Sequence, residues 1–175
     1  PMAERSPGPV VVFSGGGTGG HLYPALALAE ALTSLRPDVK LHFIGARRGI
    51  EARILPERGL PHTLLPVRGI PRGESLMKRL AVLPGLVRSL LQASKTLMGL
   101  SPDLVVVTGG YAGAPAGIAA RGLRIPLALQ EQNAYPGMTT RMLAEGARQI
   151  HVGYPEAVDR LPFDARSAAV VSGNP

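Results

Sequence analysis

Apolar residues fall in short continuous runs, each followed by a glycine or polar turn and then by a longer stretch with apolar positions three and four apart. Residues 10–13 form the first run, and unbroken apolarity there predicts a strand buried on both faces. Leu22, Ala25, Leu26, Ala29, Leu32 and Leu35 mark one stripe of a helix over 22–35, with Pro24 tolerated in its first turn. The same alternation predicts strands at 41–44, 62–66, 104–108, 126–129, 150–153 and 169–171, and helices at 51–58, 112–121 and 139–145. Residues 67–73 read as an exposed basic loop carrying Arg68 and Arg72. Residues 74–100 read as helical, with Pro84-Gly85 expected to kink or split the segment near Leu83.

Strand-helix alternation from end to end predicts an α/β fold, a Rossmann-like doubly wound parallel sheet that binds ligands outside the carboxyl ends of its strands. A length of 175 residues fits one domain. The closing Ser172-Gly173-Asn174-Pro175 reads as a turn leaving a strand, where a linker begins. No apolar run reaches the roughly 18 residues of a spanning helix, and residues 1–9 lack the apolar core of a secretory leader. Cysteine is absent, which is compatible with a reducing compartment, so a cytoplasmic location is expected.

A net charge of +7 favours polyanionic partners: nucleic acid, anionic lipid or phosphorylated metabolites. Aromatic residues make up only 4% and tryptophan is missing, so the stacking platforms used on exposed bases are not expected, and neither is nucleic acid.

The chemistry concentrates after the first strand. Ser14-Gly15-Gly16-Gly17-Thr18-Gly19-Gly20-His21 joins that strand to its helix, where backbone N–H groups and the helix dipole favour an anion. Gly15, Gly17 and Gly20 satisfy G-x-G-x-x-G, but the end of the second strand offers Gly45-Ala46-Arg47-Arg48 and no acidic ribose reader. NAD is therefore disfavoured, and an NADP-binding reductase domain stays open as an alternative. His21 follows the last glycine where a nucleotide P-loop needs lysine, which excludes that motif. An imidazole at this position is either a proton acceptor for a ligand or a first-turn histidine that hydrogen-bonds the loop. Spacing does not choose between them.

A second glycine turn, Gly109-Gly110-Tyr111, follows the fourth strand and opens another helix, so two helix N-termini could grip a diphosphate. Gln130-Glu131-Gln132-Asn133 follows the next strand, where α/β enzymes place polar ligand contacts. His42 and His62 sit within strands and read as structural, and no histidine-carboxylate spacing resembles a metal site. Leu76, Leu80 and Leu83, with Arg72, Lys78 and Arg79 beside them, belong to a helical segment too apolar for one buried face. A basic, over-apolar segment suits an anionic membrane surface, which leaves open a reading as a non-catalytic membrane-docking module.

Gly15-Gly16-Gly17-Thr18-Gly19-Gly20-His21 with Tyr23-Pro24-Ala25-Leu26-Ala27, then Gly109-Gly110-Tyr111, Glu131-Gln132-Asn133 and Gly173-Asn174-Pro175, resembles in order the N-terminal domain of the MurG family. That resemblance implies the first of the two Rossmann-like domains of a GT-B glycosyltransferase. It implies transfer of N-acetylglucosamine from UDP-N-acetylglucosamine to the C4 hydroxyl of lipid I, giving lipid II for peptidoglycan, without a cofactor or metal. His21 is then the general base, Thr18, Gly19, Gly20 and Asn133 touch the donor, and Gly16, Gly17, Gly109, Gly110, Tyr111, Gln130 and Glu131 serve the acceptor. The implied setting is peripheral, on the inner face of the cell membrane, with a C-terminal donor-binding domain of the same protein as partner. Gln130 departs from the histidine common in the family; it could replace a hydrogen-bond donor there but not a proton carrier.

Overall fold

The computed structural model describes residues 8–69 and 81–175. Seven strands form one sheet: β1 Val10–Gly15, β2 Lys40–Ala46, β3 His62–Leu65, β4 Leu104–Gly109, β5 Leu127–Glu131, β6 Gln149–Val152 and β7 Ala169–Val171. Their order is β3-β2-β1-β4-β5-β6-β7, and every pairing is parallel. The Rossmann-like doubly wound sheet expected from the alternating pattern is the one observed. The strand order reverses between β1 and β4, and the crevice at that reversal is where such sheets bind ligands.

Alternation along the strands divides the core in two. Val12, Ile44, Val105, Val107, Leu127, Leu129 and Ile150 face one side, where α3 Leu83–Leu100, α4 Gly110–Gly122 and α5 Met138–Leu143 pack. Val11, Phe13 and Phe43 face the other, against α1 Gly19–Leu35 and α2 Glu51–Glu57, with the Phe13 and Phe43 rings stacked 5.7 Å apart. The central strands are buried on both faces, which is why they read as unbroken apolar runs.

α3 begins at Leu83, where the break at Pro84-Gly85 was expected, with Pro84 in its first turn, where a missing N–H costs nothing; the part of that segment before residue 81 lies outside the described residues. The stretch between β6 and β7, to which the sequence pattern assigns no element, holds two 3₁₀ helices, Pro155–Arg160 and Phe163–Ala168, and its Ala157, Leu161 and Ala165 complete the larger core.

His42 and His62 lie away from the crevice. His42 Nε2 pairs with Thr63 Oγ1 at 2.9 Å, and His62 Nδ1 lies 2.7 Å from the Leu60 carbonyl, the N–H donating. Burial, and then the neighbouring His62 ring, push the His42 pKa below its ordinary value of 6.5. The unfolded chain therefore takes up this proton first as pH falls, so stability is fully present above 6.5 and is lost down to the folded-state value. A His42→Gln variant should show a shallower fall in Tm between about pH 7 and pH 5 than the parent. Equal slopes for the two proteins contradict the assignment.

Candidate functional site

The two glycine turns leave β1 and β4, adjacent strands at the reversal point, and pack against each other. Gly109 and Gly110 have φ of 100° and 74°, conformations natural to glycine. A Cβ on Gly109 would lie 2.8 Å from His21 Nδ1, and one on Gly110 would lie 2.9 Å from His21 Cδ2 and collide with the Gly16 carbonyl. Absence of side chains in the second turn is thus what lets the imidazole lie flush against it.

His21 occupies the first turn of α1, half-buried. Its Nδ1 lies 3.1 Å from the Thr108 carbonyl and 3.2 Å from Gln132 Oε1, both acceptors, which fixes the proton on Nδ1. Gln132 is oriented in turn, its Nε2 donating to the Thr108 carbonyl at 2.8 Å and to Gln130 Oε1. Thr108 Oγ1 donates back to the His21 carbonyl at 2.6 Å, tying α1 to the end of β4. This arrangement leaves Nε2, with its lone pair, as the nitrogen available to a ligand.

A cleft of about 260 Å³ opens beside that ring, lined among others by Gly16, Thr18, His21, Gly109, Gly110 and Tyr111. Burial, and then the charge of Glu51, raise the Tyr111 pKa above its ordinary value of 10.0, so the phenol keeps its proton and can donate a hydrogen bond. First-turn amides of α4 have no intrahelical partners, and the N-termini of α1 and α4 are positive dipole ends, which suits an anionic group in the cleft. On the far side of the first turn, Gly19 and Gly20 line a second, more open pocket of about 610 Å³ together with Gln132 and Asn174.

The structure brings most of the expected residues together at this end of the sheet. Thr18, expected on the donor side, lines the cleft with His21. Gly17 does not offer its amide to a ligand, because that N–H points between the two Glu51 oxygens, 3.0 Å from each. Glu131 borders the cleft, yet it is buried and both oxygens are engaged. Oε1 accepts from the Asn133 amide and Nδ2, and Oε2 from the Gly137 amide and Thr140 Oγ1. Its evident work is to shape the 133–140 loop, and Asn133 lines neither pocket. Gln130 is not in the cleft: neighbours on a strand point to opposite faces, and β5 continues through Glu131, so Gln130 turns toward Asn174 at 3.4 Å. Its Oε1 accepts from Gln132 Nε2.

Of the residues expected at a membrane, Arg72, Leu76, Lys78, Arg79 and Leu80 lie outside the described residues. Leu83 is 46% exposed and begins a stripe on α3 with Val87, Leu91 and Met98, opposite the buried Ser89, Ala93 and Leu97. Arg88 and Lys95 are exposed on the same helix. No described helix is long and apolar enough to cross a membrane.

Two residues of this site stand out only in three dimensions. Gln132 belongs to the polar run after β5, but its role depends on a contact with His21, distant in sequence. Glu51 gives no motif signal beyond being an acidic residue in the first turn of a helix.

The profile of the glycosyltransferase family 28 N-terminal domain matches residues 11–152. A UDP-N-acetylglucosamine--N-acetylmuramyl-(pentapeptide) pyrophosphoryl-undecaprenol N-acetylglucosamine transferase of Syntrophotalea carbinolica is 44% identical over 165 residues, 94% of this chain and 45% of that protein. The transferase of the same name from Chlorobium phaeobacteroides is 46% identical over 169 residues, covering 94% of this chain and 46% of its own. The crystal structure of Acinetobacter baumannii MurG superposes with a TM-score of 0.74 at 28% identity, over 95% of this chain and 45% of that one. A UDP-GlcNAc 2-epimerase from Neisseria meningitidis, 15% identical with a TM-score of 0.60 over 94% of this chain and 46% of its own, shares the fold. The chain spans about half the length of the curated relatives it matches. With its reversal-point cleft, its paired glycine turns and this profile over most of its length, the chain belongs to the glycosyltransferase family 28 N-terminal domain family.

Proposed function

We propose that this chain is the acceptor-binding half of an inverting glycosyltransferase that moves N-acetylglucosamine from UDP-N-acetylglucosamine to the C4 hydroxyl of the muramoyl sugar of lipid I. The observation that carries the reading is the imidazole of His21, held through Nδ1 by Thr108 and Gln132 so that Nε2 serves the cleft between two helix N-termini. The hydroxyl oxygen bonds to the anomeric carbon of the donor as its proton passes to Nε2. The bond from that carbon to the diphosphate breaks, and UDP leaves with the electron pair. Amides opening α4 lie beside the ring, where they would hold the acceptor's own diphosphate.

A second, donor-binding domain of the same protein supplies most of the UDP-sugar pocket in this reading, and residues 1–175 form one domain that does not turn over alone. The relatives are roughly twice as long as the matched region, which supports it. Purified full-length enzyme, given UDP-N-acetylglucosamine and a lipid I analogue, should release UDP and yield the disaccharide lipid. No transfer, with tight binding of NADPH instead, would favour the reductase alternative and overturn this one.

The same reading places the protein at the inner face of the cell membrane, held peripherally by the exposed α3 stripe and its cations. Full-length protein should sediment with vesicles containing phosphatidylglycerol, and a Leu83→Glu, Leu91→Glu double variant should stay in the supernatant. Equal sedimentation of parent and variant contradicts docking through α3.

A further inference from the structure

We infer that Glu51 is a positioning residue of the transfer reaction, its carboxylate acting as an internal anion that sets the shape of the first glycine turn; the inference rests on the transferase reading above. Glu51 stands in the first turn of α2, far from the motifs, yet its relative exposure is 0%. Oε1 accepts from the Ala46 amide at 2.7 Å and from the Gly17 amide at 3.0 Å, and Oε2 accepts from the same Gly17 amide at 3.0 Å. The carboxylate is packed by Gly16, Gly45 and Gly49, where a Cβ would strike it. Three segments, the end of β2, the start of α2 and the first glycine turn, are thereby locked around one side chain.

The consequence lies one residue further on. With Gly17 drawn inward, the chain turns outward at Thr18, so that the Thr18 side lines the cleft and Gly19 and Gly20 line the neighbouring pocket. His21 starts from the same backbone and must meet the second turn at van der Waals distance. A buried carboxylate held by amide N–H groups resists displacement, because losing them leaves it desolvated and unpartnered. Glu51 touches no ligand in this scheme; it acts through the turn.

The test uses full-length Glu51→Gln and Glu51→Ala. Glutamine fills the same space and can keep Oε1 as acceptor, but it sets an N–H₂ against the Gly17 N–H; alanine removes both acceptors. Hydrogen-deuterium exchange should accelerate in peptides covering residues 14–22 and stay unchanged in peptides of β4 and β5, in both variants and more strongly for alanine. Transfer kinetics should show kcat/KM lower by about 10- to 100-fold for Glu51→Ala, as for a misplacement near 1 Å, with a smaller loss for Glu51→Gln. Unchanged exchange over 14–22, exchange raised uniformly across the sheet, or kcat/KM within twofold of the parent each overturns the inference. If the parent enzyme transfers no N-acetylglucosamine, the functional reading falls, and the exchange pattern still decides whether Glu51 positions the turn.

Discussion

Full-length enzyme carrying His21→Ala should lose about 10²- to 10⁴-fold in kcat, the usual contribution of a positioned general base. The ring is half-buried against Gly109 and Gly110 and its removal leaves a space, so the comparison needs a folded variant. His21→Gln serves as that control, since it refills much of the volume and can restore a hydrogen bond to the Thr108 carbonyl without a basic nitrogen. Both variants should melt near the parent and both should be inactive on the same scale. Substantial recovery of turnover by glutamine would assign His21 to loop structure and remove it from proton transfer.

Gly110→Ala carries the second large effect. Its φ of 74° penalises any L side chain by roughly 1–2 kcal/mol before contacts are counted. The new methyl would then meet the Gly16 carbonyl, backbone that cannot swing aside, and press on the His21 ring from 2.9 Å. The two glycine turns must separate, carrying the imidazole with them, and a displacement near 1 Å is enough to lower kcat/KM by about 10²-fold. Gly122→Ala is the matched control, because a Cβ there meets nothing within 4 Å. Similar activity in the two variants contradicts the close packing of the turns as a requirement for function.

These two residues also show what a linear reading could and could not reach. The strands were legible because a doubly wound sheet buries its central strands on both faces, so β1 and β4 stand out as apolar runs ending in glycines. Position at the carboxyl ends of those strands then made the glycine turns and His21 legible as one site. The side-chain contacts within the site were not. Ending β5 at Leu129, as the apolar run does, hides that Gln130 and Glu131 are still in the strand and point to opposite faces. Glu51 and Gly17 are 34 residues apart, and no periodicity records a side chain reaching across that interval. Pro84 looks the same in sequence whether it opens a helix or kinks one; in the structure it stands in the first turn of α3. The 3₁₀ helices between β6 and β7 are six residues each, about two turns, too brief to write a pattern.

Transfer as proposed needs a diphosphate on the amides at the start of α4 and a sugar hydroxyl beside His21. A crystal structure of the full-length enzyme with UDP and an acceptor analogue tests this most directly. Diphosphate oxygens should lie on the first-turn amides of α4, with the C4 hydroxyl about 2.6–3.2 Å from Nε2 of His21. An acceptor bound elsewhere, or a hydroxyl beyond the reach of that nitrogen with no bridging water, contradicts it.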